Sequence, residues 1–174
     1  MPELLVGCGN RREKLFTMEG RPKEWTELIT LDISENLAKP ADYVHDLTDL
    51  PLPFDDDCFD EVHAYEVLEH TGAQGDWKFF FNQFYEFWRI LKPGGILCGS
   101  CPLWDGKWAW GDPGHTRIIS SASLVFLSQR EYKAQVGNGA MTDYRAYWDG
   151  DFDLVGMKED EENWGFILQA VKDE

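Results

Sequence analysis

Long apolar runs are missing from this sequence: nothing approaches the ~18 to 20 residues that a bilayer-spanning helix needs. The N-terminus enters a strand-like run at once, Leu4, Leu5 and Val6, with no basic stretch leading into a longer apolar one. Neither a membrane span nor a signal peptide is expected, and the protein is expected in the cytoplasm. Positive charge is scarce as well. Lys and Arg total 16 against 32 Asp and Glu, a formal net charge of −16. A field of that sign repels polyanions, and the small basic patch of Arg11, Arg12 and Lys14 sits near acidic residues, which ranks nucleic acid low as a partner. Most of the acidity reads as a means of solubility. Cysteine is also sparse: of the four, only Cys98 and Cys101 have the CxxC spacing of a redox pair or half a zinc site. No second pair follows, and positions i and i+3 of a strand point to opposite faces. No metal site is therefore expected, and the cysteines read as small buried thiols in a reducing compartment.

What is present suits an ordered globular protein. Apolar residues make up 43% and aromatics 14%, in a length that fits one domain, residues 1–174. Strand and helix signals alternate, which predicts a doubly wound α/β fold with a mostly parallel sheet. Strands are predicted at 3–6, 28–33, 41–45, 59–65 and 96–100. Two more, at 152–157 and 164–171, close the sheet as an antiparallel edge pair, for seven strands in all. The clearest helix runs from Trp77 to Leu91, where Phe80, Phe81, Phe84, Phe87, Trp88 and Leu91 recur at helical spacing, the mark of a core-facing stripe. Lys92-Pro93-Gly94-Gly95 stops it. A second helix is predicted from Ser120 to Gln129 behind a serine cap. Between Arg11 and Glu27, Gly20 and Pro22 interrupt the first crossover, which leaves one short helix or none.

The chemistry gathers at strand ends. Gly7-Cys8-Gly9-Asn10 follows the first strand, and glycines there let backbone approach a ligand. A dinucleotide fold would want a third glycine near position 12, where Arg12 stands, so a nicotinamide-dependent dehydrogenase is the weaker alternative. Asp32 ends the second strand, 23 residues after Gly9, placed either to accept hydrogen bonds from ribose hydroxyls or to serve as a turn carboxylate. Asp46 and Leu47 follow the third strand, as an acid and an apolar neighbour for an adenine ring or as a solvated turn. In doubly wound sheets this carboxyl edge is where ligands bind.

Taken in order, these motifs resemble the class I S-adenosylmethionine-dependent methyltransferases, especially the compact type 11-like group. The resemblance rests on Leu4-Leu5-Val6-Gly7-Cys8-Gly9-Asn10, Leu31-Asp32-Ile33, His45-Asp46-Leu47 and Leu50-Pro51-Leu52-Pro53-Phe54. It continues through Phe59-Asp60-Glu61-Val62, Val67-Leu68-Glu69-His70 and Leu91-Lys92-Pro93-Gly94-Gly95-Ile96-Leu97. It implies a Rossmann-like methyltransferase fold, S-adenosylmethionine as cofactor and methyl transfer as the activity. Gly7, Cys8 and Gly9 would line the methionine part, and Asp32, followed by Ile33, would hold the ribose. Asp46 and Leu47 would flank the adenine, Ala64 and Tyr65 would meet the amino-acid end, and His70 would stand at the pocket rim or as a plain surface histidine. The usual acidic residue and third glycine of the first motif are absent. Larger relatives also carry an N-terminal helical cover, which another segment or a second subunit, in a homo-oligomer, would replace here.

The segment after the fifth strand carries the candidates for the acceptor. Asp112 or His115 is placed to act as general base or to orient the acceptor, Arg117 to bind a carboxylate or phosphate on it, and Trp104 and Trp108 to stack on a sugar or planar ring. The bland alternative is a packed loop with His115 capping the next helix. The expected reaction is methylation of an oxygen or nitrogen on a small molecule, glycan-like or carboxylated. A non-catalytic module that binds S-adenosylmethionine or S-adenosylhomocysteine is the rival reading.

Overall fold

The computed structural model describes residues 1–172. Its strands are β1 (Pro2–Val6), β2 (Glu27–Asp32), β3 (Tyr43–Val44), β4 (Phe59–Tyr65), β5 (Leu91–Pro102), β6 (Phe152–Glu159) and β7 (Asn163–Ala170). They form one sheet in the order β3-β2-β1-β4-β5-β7-β6. The first five run parallel, and β7 lies antiparallel between β5 and β6. The strand order reverses at β1, which has β2 on one side and β4 on the other, and a crevice at such a switch point is where α/β sheets hold ligands.

Side-chain alternation sorts the central strands into two faces. Leu4, Val6, Val62, Ala64 and Leu97 join the buried core beneath helix α1 (Trp77–Ile90), whose Phe81, Phe84, Phe87 and Ile90 are buried among them. Asp76 caps that helix by accepting the Phe79 N–H at 3.1 Å. The opposite face carries Glu3, Glu61, His63 and Tyr65. No helix covers it there. The irregular stretch 11–26 lies across it and is held by polar contacts: the Lys14 ammonium is 2.5 Å from Glu3 and 2.7 Å from Glu61, and Trp25 sits edge-on to His63 at 4.8 Å. Of the two options for this crossover, the helix-free one is realised.

Three elements differ from the sequence expectation. β3 has two residues rather than five, because the Asp42 carboxylate accepts the Thr30 N–H and hydroxyl at 2.8 and 2.7 Å, taking the place of a ladder bond. The helix expected over 120–129 is broken. It comprises α3 (Ser121–Leu124) and a 3-10 turn (Val125–Leu127), and then Ser128, in extended conformation, starts α4 (Gln129–Gln135) as its cap. β5 begins directly after α1 and runs longer than expected. A four-residue helix, α2 (Trp108–Gly111), lies in the tryptophan-rich loop. No helix among the described residues is long and apolar enough to cross a membrane.

Candidate functional site

Three strand ends meet at the switch point. Gly7 turns out of β1 with φ +59°, and a Cβ there would stand 2.4 Å from a Val67 methyl carbon, so only glycine fits beneath the turn that follows β4. Gly9, with φ +47°, donates its N–H to one Asp32 oxygen at 2.8 Å, and the Ser34 N–H reaches the other at 2.8 Å. Asp32 is thereby fixed at the end of β2 with lone pairs to spare. Beside it opens a hollow of about 430 Å³, lined by Gly7, Asp32, Ile33, Asp46, Leu47, Val67 and His70 together with Leu31, His45, Thr48 and Thr71. That volume lies within the ~300 to 1,000 Å³ of small-molecule sites. Ile33, 65% exposed, and the buried Leu47 give this hollow apolar surface of the kind a planar ring packs against.

Six of the ten residues expected at the cofactor therefore line one cavity. Gly9 braces Asp32 from behind, and Cys8 is buried, its N–H donated to the Leu31 carbonyl at 3.3 Å. Ala64 is fully buried within the sheet. Tyr65 does not reach the hollow: strand alternation puts it on the face of Glu61 and His63, where its hydroxyl lies 2.6 Å from His63 Nδ1 and 3.2 Å from the Phe16 carbonyl.

The acceptor candidates scatter more. Asp112 forms a local turn, accepting the Gly114 N–H at 2.7 Å. His115 is half-buried, with Nδ1 2.7 Å from the Trp108 carbonyl and its ring 4.6 Å from that of His70. Trp104 and Trp110 are about 60% exposed, and Trp108 hydrogen-bonds Glu162 at 3.1 Å. Arg117 is only 4% exposed, and its guanidinium is spent inside the protein on the Leu68 carbonyl, Thr71 and Gln83. The sequence placed it against the acceptor, yet the fold uses it to tie the 3-10 turn Leu68–His70 to α1.

Three features escaped the sequence. Arg11 and Lys158, far apart in the chain, line a second hollow of about 330 Å³ with Phe16, Glu66, Ser100 and Trp164, at the carboxyl ends of β4 and β5. Glu66 adopts φ +49° at the end of β4, and burial raises its carboxyl pKa. Glu69 is buried beside the Cys101 thiol with no nitrogen or hydroxyl donor on its oxygens, and burial pushes its pKa up to about 7. For Glu69 the one available signal was a carboxylate directly after Val67-Leu68.

A strand-order reversal at β1 with a hollow at the carboxyl edge places the chain among the α/β proteins whose sheets hold a small ligand at a switch point. Residues 4–99, more than half of the chain, match the family model of a methyltransferase domain, type 11, and the chain belongs to that family. It is an S-adenosylmethionine-dependent methyltransferase. The fold is similar to that of an S-adenosylmethionine-dependent methyltransferase from Archaeoglobus fulgidus, at 14% identity over 97% of this chain and 85% of that one, with a TM-score of 0.59. It is similar to the N-methyltransferase NodS from Bradyrhizobium japonicum WM9 in complex with S-adenosyl-L-homocysteine, at 13% identity, 98% and 78% coverage and a TM-score of 0.57. A structure of the Haloferax volcanii Trm112 methyltransferase activator with its methyltransferase also matches, at 14% identity, 98% and 83% coverage and a TM-score of 0.57. A search of curated proteins finds no match to the sequence.

Proposed function

We propose that the chain transfers a methyl group to an oxygen or nitrogen of a small carboxylated molecule, and that the cofactor lies in the hollow between β1, β2 and β4. The observation carrying the cofactor assignment is the convergence of Gly7, Asp32, Ile33, Asp46, Leu47 and His70 on that one cavity. Asp32 would hold the ribose hydroxyls through the lone pairs its two backbone donors leave free, and Ile33 and Leu47 would flank the adenine. When bound, the cofactor supplies an electrophilic methyl on an already activated leaving group. The protein's task is then alignment and exclusion of water, and positioning alone is worth several kcal/mol of barrier.

The second hollow supports the acceptor assignment. It lies at the carboxyl ends of β4 and β5, and Glu66 on its wall directly precedes Val67, which lines the first hollow. Arg11 and Lys158 line it beside three acids, Glu66, Glu159 and Asp160, so a carboxylate on the acceptor would be met by the two cations and an amino group by the acids. They replace the Arg117 of the sequence expectation. An amine acceptor that arrives unprotonated needs no base. A hydroxyl acceptor does, and His115 is the group for it: with Nδ1–H donated to the Trp108 carbonyl, Nε2 is the nitrogen left to take the proton.

The test is transfer of labelled methyl from S-adenosylmethionine to a panel of small hydroxy and amino acids, each paired with its carboxamide. The acids should be preferred, and Arg11→Ala with Lys158→Ala should raise their KM tenfold or more. Equal turnover of acids and amides, or an unchanged KM in the double variant, overturns the carboxylate reading. Cofactor retained without transfer to any member of the panel favours the non-catalytic module.

A further inference from the structure

Beside the cofactor hollow lies a group of side chains that neither the fold nor the transfer reaction accounts for. Glu69 and His70 end the short 3-10 turn after β4, and His115 reaches them from the loop after β5. One donor atom from each of the three lies within 4.8 Å of the other two. Both histidine rings are already oriented. His70 Nδ1 sits 3.2 Å from the Gly114 carbonyl and His115 Nδ1 sits 2.7 Å from the Trp108 carbonyl. A carbonyl only accepts, so each Nδ1 carries a proton and Nε2 is the nitrogen left for a ligand. This is the arrangement by which backbone carbonyls fix the tautomer of metal-ligating histidines. Glu69 supplies the second, independent observation. It is 2% exposed, and its oxygens meet no nitrogen or hydroxyl donor, only the thiol of Cys101, so as a charged carboxylate it is under-satisfied unless a cation meets it.

We propose that Glu69, His70 and His115 form a binding site for one divalent first-row transition ion of the Zn²⁺ type. Two imidazoles and one carboxylate suit such an ion, whereas Mg²⁺ prefers an all-oxygen octahedron. Three protein ligands leave at least one position for water or for an acceptor atom. His70 belongs at once to this set and to the wall of the cofactor hollow, which puts the ion next to the site of methyl transfer. The lone pair of His115 cannot serve an ion and a proton together, so ion binding excludes its use as a general base. The site itself does not depend on the identity of the acceptor.

The competing occupant is a single water. A void of about 10 Å³ touches Glu69, Cys101, Ala109 and Arg117, and Arg117 Nη1 also lacks a partner. A water there would join the two unpaired groups with no role for either histidine.

The full chain, treated with chelator and dialysed, is titrated with Zn²⁺ by calorimetry and with Co²⁺ by visible absorption, and S-adenosylhomocysteine is titrated on the same samples. One ion per chain is expected, with an absorption band of low-coordinate Co²⁺ bearing nitrogen ligands and with no comparable heat from Mg²⁺. His115→Ala and Glu69→Gln should each weaken Zn²⁺ binding tenfold or more, the scale on which metal sites respond to changes around them. His115→Ala should keep its affinity for S-adenosylhomocysteine, so failure of the ion site is separable from failure of the cofactor site. If Glu69→Gln does not fold, as judged by circular dichroism, His115→Ala decides. A wild-type chain that binds no Zn²⁺ or Co²⁺, or a folded His115→Ala that binds as tightly as wild type, overturns the proposal.

Discussion

Lys14→Met removes one charge from the interior and keeps most of the side chain's volume. The Lys14 side chain is 1% exposed and meets the carboxylates of Glu3 and Glu61, both with no exposed side-chain surface. Without it, Arg21 at 3.6 Å from Glu61 and the ring of His63 are the remaining counter-groups to Glu61. Deleting one partner of a buried ion pair costs about 3 to 5 kcal/mol, against ~5 to 15 kcal/mol for the folding of a whole domain. The pH dependence gives the sharper test. Burial alone would raise the pKa of Glu61, but hydrogen bonds from His63 and Lys14 and their charge outweigh it, giving about 2 against the ordinary 4.5. The folded protein thus refuses a proton that the unfolded chain accepts. This stabilisation, at most about 3 kcal/mol, is complete above pH 4.5 and is lost as pH falls from there toward 2. His63 acts in the same direction: burial lowers its pKa below 6.5, so acid below that value again favours the unfolded chain. In Lys14→Met the burial effect on the carboxyls is no longer offset by the ammonium, and a proton now relieves the fold. Urea unfolding followed by tryptophan fluorescence should show the variant about 3 to 5 kcal/mol less stable at pH 7.5 and the gap narrowing at pH 5. A loss under about 1 kcal/mol, or a gap that widens in acid, refutes the reasoning.

Asp32→Asn keeps the shape but turns one acceptor oxygen into a donor. It should weaken S-adenosylhomocysteine binding by about 1 to 3 kcal/mol, roughly 5- to 150-fold in calorimetry, and an affinity within twofold of wild type removes Asp32 from the site. Tyr65→Phe acts on the other face of the sheet. It should leave that affinity within twofold while costing about 0.5 to 1.5 kcal/mol of stability through the lost hydrogen bond to His63, and a large loss of affinity would refute its placement. Arg117→Met strips donors from the Leu68 carbonyl, Thr71 and Gln83 and should lower stability by about 2 to 4 kcal/mol. A variant of unchanged stability and raised acceptor KM would restore Arg117 to the acceptor.

The seven-stranded, mostly parallel sheet with its antiparallel edge pair was legible because it follows from the alternation of strand and helix signals along the chain. The glycine turn after β1 and Asp32 at the end of β2 were legible as a turn and a strand end, because glycines and an acid bound short apolar runs there. Tyr65 was misplaced for a reason of parity: it lies an even number of residues from Glu61 and His63, and those two commit that register to the opposite face. Arg117 reads in the sequence as a free cation after a loop, and nothing local announces that Gln83, on a helix 34 residues earlier, will take its guanidinium. Glu69 was invisible for the converse reason. A carboxylate beside apolar neighbours looks like a solvated turn until the packing of the loop after β5 closes over it. The helix expected over 120–129 failed at Ser128, whose side chain caps the following turn in competition with the preceding one.

The missing first crossover helix shows what the cofactor turn does and does not require. In a doubly wound sheet that helix normally packs on the face that here carries Glu3, Glu61 and His63. An apolar helical stripe could not cover those groups without leaving charges unpaired, whereas an irregular chain can send Lys14 to two carboxylates, Thr17 to Glu61, and Arg21 to the Asp60 and Gly94 carbonyls. The turn after β1 is held by other means. Gly7 is pressed against Val67 and Gly9 is hydrogen-bonded to Asp32, so the ends of β1, β2 and β4 are joined to one another directly. The cover and the joined strand ends are thus held by separate contacts. The irregular stretch 11–26 covers its face through polar contacts of its own, and the joined ends of β1, β2 and β4 need no helix there.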